Sequence, residues 1–303
     1  MYMSIGNTGL SFRRIATIIS VYCMIAGISP AHAAQETLTS ADRPDKTSRT
    51  TLHADISGQV NPEGLMLLFG GYHRWIRDMN NELNMPSSYL QAGATAGISP
   101  AYGKVAAHAE WMPAIFAKVR FEYDWYRFFG ANGALLSFPS RDSKFGRNEV
   151  DALKGREETV NGERFLIRPT FYGKIGPVII SNRTDFAYYR LTGRGPYFLE
   201  WEYEILLKRR DHVFNNRTDF LKNVWKGSGE ASLLTGPYYE LTHASGADLT
   251  RQRVGGVVFW IPQDTLWSFN RPRVYSQFGI YLQDPNRQGE PYFAIGAGFD
   301  FDL

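Results

Sequence analysis

Two stretches of this sequence carry ionisable side chains at every second residue, a spacing that sets them all on one face of an extended strand. In 117–126, Lys118, Arg120, Glu122 and Asp124 alternate with Ala117, Val119, Phe121, Tyr123 and Trp125. In 199–207, Glu200, Glu202 and Glu204 alternate with Leu199, Trp201, Tyr203, Ile205 and Leu207. Helical spacing would scatter these charges around an axis, so both stretches are expected to be strands. Rungs of this kind can meet polar solutes where they line a wet channel, or can hold a wall together by pairing across strands, because an unpaired buried charge costs several kcal/mol. Alternation elsewhere adds Arg183, Asp185, Arg217, Asp219, Arg251 and Arg253 to the same charged face. Both signs occur in comparable numbers, which argues against strong selectivity for either.

A second chemistry is offered by His243 and Ser245. An imidazole that takes the proton of a nearby serine makes the hydroxyl a nucleophile, provided a third polar group orients the ring. His108 and Glu110 also share a strand face, but no third ligand stands in register with them, so they read as a structural pair. The sequence contains no Gly-x-Ser-x-Gly elbow, Walker loop, dinucleotide fingerprint or His-Glu-x-x-His motif. Neither a metal nor a cofactor is expected.

The elements that would position these residues recur as segments of ten to fifteen residues between Gly, Pro, Asn and Asp clusters. They run 62–75, 88–99, 103–112, 115–129, 162–173, 177–190, 197–208, 212–224, 230–243, 249–261, 272–283 and 290–302. Asn182-Arg183-Thr184-Asp185-Phe186 recurs as Asn216-Arg217-Thr218-Asp219-Phe220, thirty-four residues later, which would put the copies on alternate strands running the same way. Pro169 and Pro237 fall inside expected strands, where each removes a ladder hydrogen bond and a bulge is the expected remedy.

The N-terminus has the pattern of an export leader. Positive charge at Arg13 and Arg14 precedes an apolar run, Ile15 to Ile28, too short to span a membrane, and Pro30-Ala31-His32-Ala33 supplies a small-x-small cleavage site. Cys23, the only cysteine, lies inside that leader, so disulfides and thiolate metal sites are excluded from the mature chain. Aromatic residues make up 15% of the sequence, yet the apolar run near Val254 to Ile261 is far too short for a spanning helix. A net charge of +3 gives no argument for nucleic acid as a partner.

The final stretch, Tyr292 to Leu303, alternates Phe293, Ile295, Ala297, Phe299, Phe301 and Leu303 with small or acidic residues. With Gly298, Phe301 and Leu303, it resembles the C-terminal insertion signal of Gram-negative outer-membrane β-barrel proteins, with Leu303 where that class usually has Phe. The resemblance implies assembly by the barrel assembly machinery and contact with outer-membrane lipid and lipopolysaccharide. His243-Ala244-Ser245 resembles the His-x-Ser pair that outer-membrane phospholipases and lipid A deacylases carry on a barrel strand. Their third member lies about a dozen residues after the serine, where this chain has Val257, and the Asn270-Arg271 pair comes too late.

The expected fold is all-β, a closed antiparallel transmembrane β-barrel of about twelve strands in the cell outer membrane. Its expected divisions are a signal peptide at 1–33, a flexible periplasmic segment at 34–60 and the barrel at 61–303, with the last strand pairing to the first near Leu65 to Trp75. The expected function is a narrow pore or passive wall protein for small polar solutes. The alternatives are a lipid hydrolase using His243 and Ser245, and a non-conducting scaffold or adhesin acting through its loops. One difficulty attends the twelve segments: with a periplasmic N-terminus they put the long 130–161 connection on the periplasmic side, whereas barrels keep long loops outside. A strand missed near Thr51 to Ile56 or Pro113, a long inner turn, or a segment folded back as a plug would each account for it.

Overall fold

The computed structural model describes residues 48–303 apart from 62, 81–84, 131–135, 154, 228–230, 264 and 267–268. The leader expected at 1–33 lies outside the described residues.

Twelve long strands pair in sequence into a closed antiparallel ring. They are β1 (Ser48–Val60), β2 (Gly64–Asn80), β3 (Met85–Ile98), β4 (Tyr102–Ala114), β5 (Ala117–Phe128), β7 (Asn161–Ile175), β8 (Val178–Leu191), β11 (Arg210–Lys226), β12 (Ser232–Ala244), β13 (Leu249–Ile261), β15 (Phe269–Gln283) and β16 (Pro291–Asp302). Three shorter strands, β6 (Ser137–Phe138), β9 (Tyr197–Glu200) and β10 (Ile205–Lys208), form a separate sheet, and β14 (Thr265–Leu266) is a short addition beside β15.

The ring closes where β16 pairs with β1, from Thr51 opposite Asp302 to Val60 opposite Phe293. The expected partner, Leu65 to Trp75, belongs instead to β2, and the flexible segment drawn to residue 60 ends in a full spanning strand. Ser48–Val60 escapes a hydropathy reading because its inward face is Thr51, Asp55 and Ser57, polar residues that pair inside the ring. Conversely, 197–208 is not a spanning strand but the hairpin β9–β10. One strand gained and one lost keep the total at twelve and reverse the parity of everything between them. The connection 129–160 and the one holding β9–β10 now share the rim opposite Ser48 and Asp302, and the strands joined at the termini-side rim have short links.

Alternation makes the wall two-faced. On β5, Glu122, Asp124 and Tyr126 are buried inside while Phe121, Tyr123 and Trp125 are exposed outside. The exterior elsewhere presents Phe69, Leu90, Val105, Phe165, Phe186, Ile280 and Phe293. Trp75, Trp111, Trp225 and Trp260 stand toward the termini-side rim and Trp125 and Tyr188 toward the other, as interfacial girdles require.

The strand prolines are accommodated without bulges. On either side of Arg168 and Pro169 the β7–β8 register is unchanged, from Ile167 opposite Phe186 to Thr170 opposite Arg183. Pro237 likewise interrupts the β11–β12 ladder between Asp219–Tyr238 and Lys222–Thr235 with no shift, and the register slips only later, between Asn223 and Trp225. Gly236 makes this workable: a Cβ there would lie 1.8 Å from the Phe220 carbonyl oxygen.

Deleting Ser48–Val60 should leave β2 and β16 with open edges and abolish the folded, heat-modifiable band on a gel. A retained band would mean that β2 can close directly on β16.

Candidate functional site

The lumen is lined by the polar face of this alternation, and its charges are paired both across and along strands. Arg164 on β7 reaches Asp124 at 2.7 Å and Glu122 at 3.0 Å on β5, and Arg120 lies 2.8 Å from Glu122. Asp185 on β8 takes Arg168 at 2.7 Å and Arg183 at 3.5 Å. Further round, Arg217 meets Asp219 at 2.7 Å, while Arg251 and Arg253 hold Glu240 at 2.5 and 2.7 Å. Lys118 pairs with Glu110 at 3.3 Å, and the Tyr89 hydroxyl donates to the same carboxylate. Near the termini, Arg273 joins Asp55 at 2.8 Å to Asp300 at 2.7 Å, tying β15, β1 and β16 together. Gly298 belongs to this seam: a Cβ on it would lie 2.1 Å from Asp55 Oδ1. Phe301 and Leu303 face outward, both exposed.

Glu200, Glu202 and Glu204 are not wall rungs. They sit on the β9–β10 hairpin, which enters the ring from the rim opposite the termini. Its body is apolar: Leu199, Ile205, Leu206 and Leu207 are buried in one cluster with Leu166, Ala187, Val213, Ala244 and Leu249 of the wall. Leu136, Phe138 and Phe145 join this cluster from the 129–160 connection, whose β6 pairs with β9 and whose helix α1 (Arg147–Ala152) follows. The plug expected from 130–161 is thus shared between two connections.

At the tip, Trp201-Glu202-Tyr203-Glu204 forms the turn, closed by Glu204 in the left-handed region at φ 53°. The two acidic side chains face opposite walls. Glu202 accepts from Lys104 Nζ at 2.9 Å, from the Tyr126 hydroxyl at 3.1 Å and from Arg164. Glu204 lies 2.8 Å from Arg251, 3.2 Å from Arg253 and 3.5 Å from Arg287, and accepts from the Tyr281 hydroxyl at 2.8 Å. Between them, the Tyr203 hydroxyl donates to Asp185 at 2.9 Å. In ring order β4 to β7 stand across from β13 and β15, so the turn spans the lumen.

Burial opposes the charge of each tip carboxylate, and the cations decide the outcome. Arg164 and Lys104 outweigh burial at Glu202 and hold it at about 2, and Arg253, Arg251 and Arg287 keep Glu204 below the ordinary range. Glu200 goes the other way. Burial and then the charge of Glu202 push it up to about 7, while its Oε2 accepts from the Tyr203 backbone N–H at 2.7 Å.

The duplicated motif has a local explanation. Because 197–208 does not cross, the copies lie on adjacent antiparallel strands, not on alternate parallel ones. Arg and Asp point inward in both. On the outer face the Asn182 amide donates to Asn216 and Thr218, and that of Asn216 to Asn182 and Thr184. Two amides exposed to hydrocarbon thereby satisfy each other.

His243 and Ser245 lie at the hairpin-side rim, His243 on the outward face of β12 and Ser245 in the turn after it. The His243 ring shares a hydrogen bond with Thr250 Oγ1 at 3.0 Å, and among the described residues none joins His243 to Ser245. Ser245 donates its backbone N–H to His212. His108 is buried in the lumen with Glu110. No group of three or more His, Cys, Asp or Glu among the described residues could hold a metal.

A closed ring with an apolar, aromatic-girdled exterior and an ion-paired interior is an outer-membrane β-barrel. Solved outer-membrane proteins match this chain at low similarity. The β domain of the Bordetella autotransporter BrkA is 9% identical with a TM-score of 0.46, covering 84% of this chain and 99% of that one. A bacterial polysaccharide outer membrane secretin is 8% identical with a TM-score of 0.45, covering 86% and 100%. KdgM porin is 7% identical with a TM-score of 0.39, covering 82% and 98%. No family model and no curated protein matches the sequence.

Asn216→Leu should leave the Asn182 Oδ1 without its donor toward lipid, the Asn182 side-chain N–H keeping only Thr218, and cost about 1–2 kcal/mol in urea unfolding, with Asn182→Leu/Asn216→Leu recovering most of it. The Glu200 carboxyl holds its proton more tightly when docked than the ordinary value of 4.5 would allow, so docking is favoured at low pH. That contribution should be lost as pH rises between about 4.5 and about 7. Amide exchange across Leu199–Leu207, corrected for intrinsic rates, should therefore accelerate over that window and lose the pH dependence in Glu200→Gln.

Proposed function

We propose that this chain is a narrow pore for small polar solutes in the outer membrane, closed by its own β9–β10 hairpin. It would be exported through the leader at 1–33 and inserted by the barrel assembly machinery. The observation that carries this reading is the position of the turn Trp201–Glu204. A passive wall needs only its own side chains to fill the interior. Here a separate segment fits across the lumen, bonded to Lys104 and Arg164 on one side and to Arg251, Arg253 and Tyr281 on the other. A twelve-stranded ring stands between the eight strands that side chains can pack shut and the sixteen that leave an aqueous channel, so an inserted segment is one means of narrowing it. The inner surface that the hairpin tip covers is charged and hydrogen-bonding, which suits hydrated solutes and not lipid.

Replacing 198–207 with a short Gly-Ser link should convert a nearly silent protein into one with steady single-channel current in planar bilayers. A folded, heat-modifiable deletion variant that passes no current would overturn the pore reading and leave a scaffold.

A further inference from the structure

The ion pairs that hold the hairpin tip divide into two networks, one on each side of the lumen, and charge balance in each depends on a single carboxylate of the plug. On the first side Lys104, Arg120 and Arg164 are cations, and the wall supplies Glu122 and Asp124. Glu202 completes the balance. On the second side Arg217, Arg251, Arg253 and Arg287 are cations, and Asp219, Glu240 and Asp284 are their fixed partners. There Glu204 completes it.

Withdrawing the turn would leave each network with one excess positive charge at the lumen wall. Removing one partner of a buried ion pair is far more damaging than the net worth of the pair, because the other charge stays behind uncompensated. An anion taking the place of Glu202 and Glu204 removes that cost. A neutral solute of the same size does not.

We infer that the two networks form an anion subsite, occupied in the closed protein by the chain's own carboxylates, and that small solutes carrying two or more carboxylates open the pore by replacing them. This inference rests on the pore reading and names its substrate class. Opening is then coupled to the solute, since a ligand shifts an equilibrium only by its differential affinity for the two states. The tyrosines serve either occupant: the Tyr126 and Tyr281 hydroxyls donate to the tip carboxylates and would donate equally to those of a solute. The apolar body of the hairpin, packed on Leu166, Ala187 and Val213, favours return to the closed state once the anion has left.

The test uses the full chain in planar bilayers under potassium chloride, with citrate as the polycarboxylate and sorbitol as the neutral control. Millimolar citrate should raise open probability about tenfold, and sorbitol should not. Glu202→Gln/Glu204→Gln should open without citrate and show an anion-selective reversal potential, because its networks keep their excess cations. If the 198–207 deletion conducts, yet citrate leaves the wild type closed and the double variant stays silent while folded, the inference is overturned and the pore reading stands. A silent, folded deletion variant overturns both.

Discussion

A sheet immersed in hydrocarbon cannot leave a backbone N–H or C=O without a partner, because no water is present to take its place. That constraint organises this molecule. It obliges the chain to supply a partner for the free edge of β2 and the free edge of β16, and the partner is Ser48–Val60. It explains the two amides of the duplicated motif, which answer each other on the lipid face, and it explains why Pro169 and Pro237 stand where the ladder can lose a bond without losing register. Closure in turn creates an interior, and the alternation that sends Phe121, Tyr123 and Trp125 to lipid sends Glu122, Asp124 and Tyr126 inward.

The interior then faces a second constraint, that buried charge must be balanced. Most of the balance is local, within a strand or between neighbouring strands. The exception is the tip of β9–β10, where Glu202 and Glu204 belong to the hairpin and their partners to opposite walls. Apolar packing fixes the hairpin at the rim, and ion pairs fix it in the lumen. The two kinds of contact are thus separated by position along the hairpin.

Much of this was legible in the sequence. The charged face of 117–126 is a rung-bearing strand, and the inward residues Arg183, Asp185, Arg217, Asp219, Arg251 and Arg253 line the lumen where period-two alternation put them. Two segments misled for opposite reasons. Ser48–Val60 was hidden because Thr51, Asp55 and Ser57 look like solvated loop until Asp302, Arg273 and Tyr275 are seen beside them. In 197–208, Leu199, Ile205 and Leu207 alternate with acids as a spanning strand would, but the apolar face meets the inner wall instead of lipid. Period two reports an extended chain with two unlike faces and is silent about which solvent each face meets.

By itself, then, the sequence determined the class: strands in place of helices, about twelve of them, an outer surface suited to lipid and an inner one dense with paired charge. These are consequences of residue type and local periodicity, which act over a few residues. Only the tertiary structure decided which segments cross the membrane, which rim carries the long connections, and that Glu202 and Glu204 close two networks from within the lumen. Those facts depend on contacts between residues far apart in the chain, such as Lys104 with Glu202 and Arg251 with Glu204, and no local pattern encodes which distant cation a carboxylate will meet.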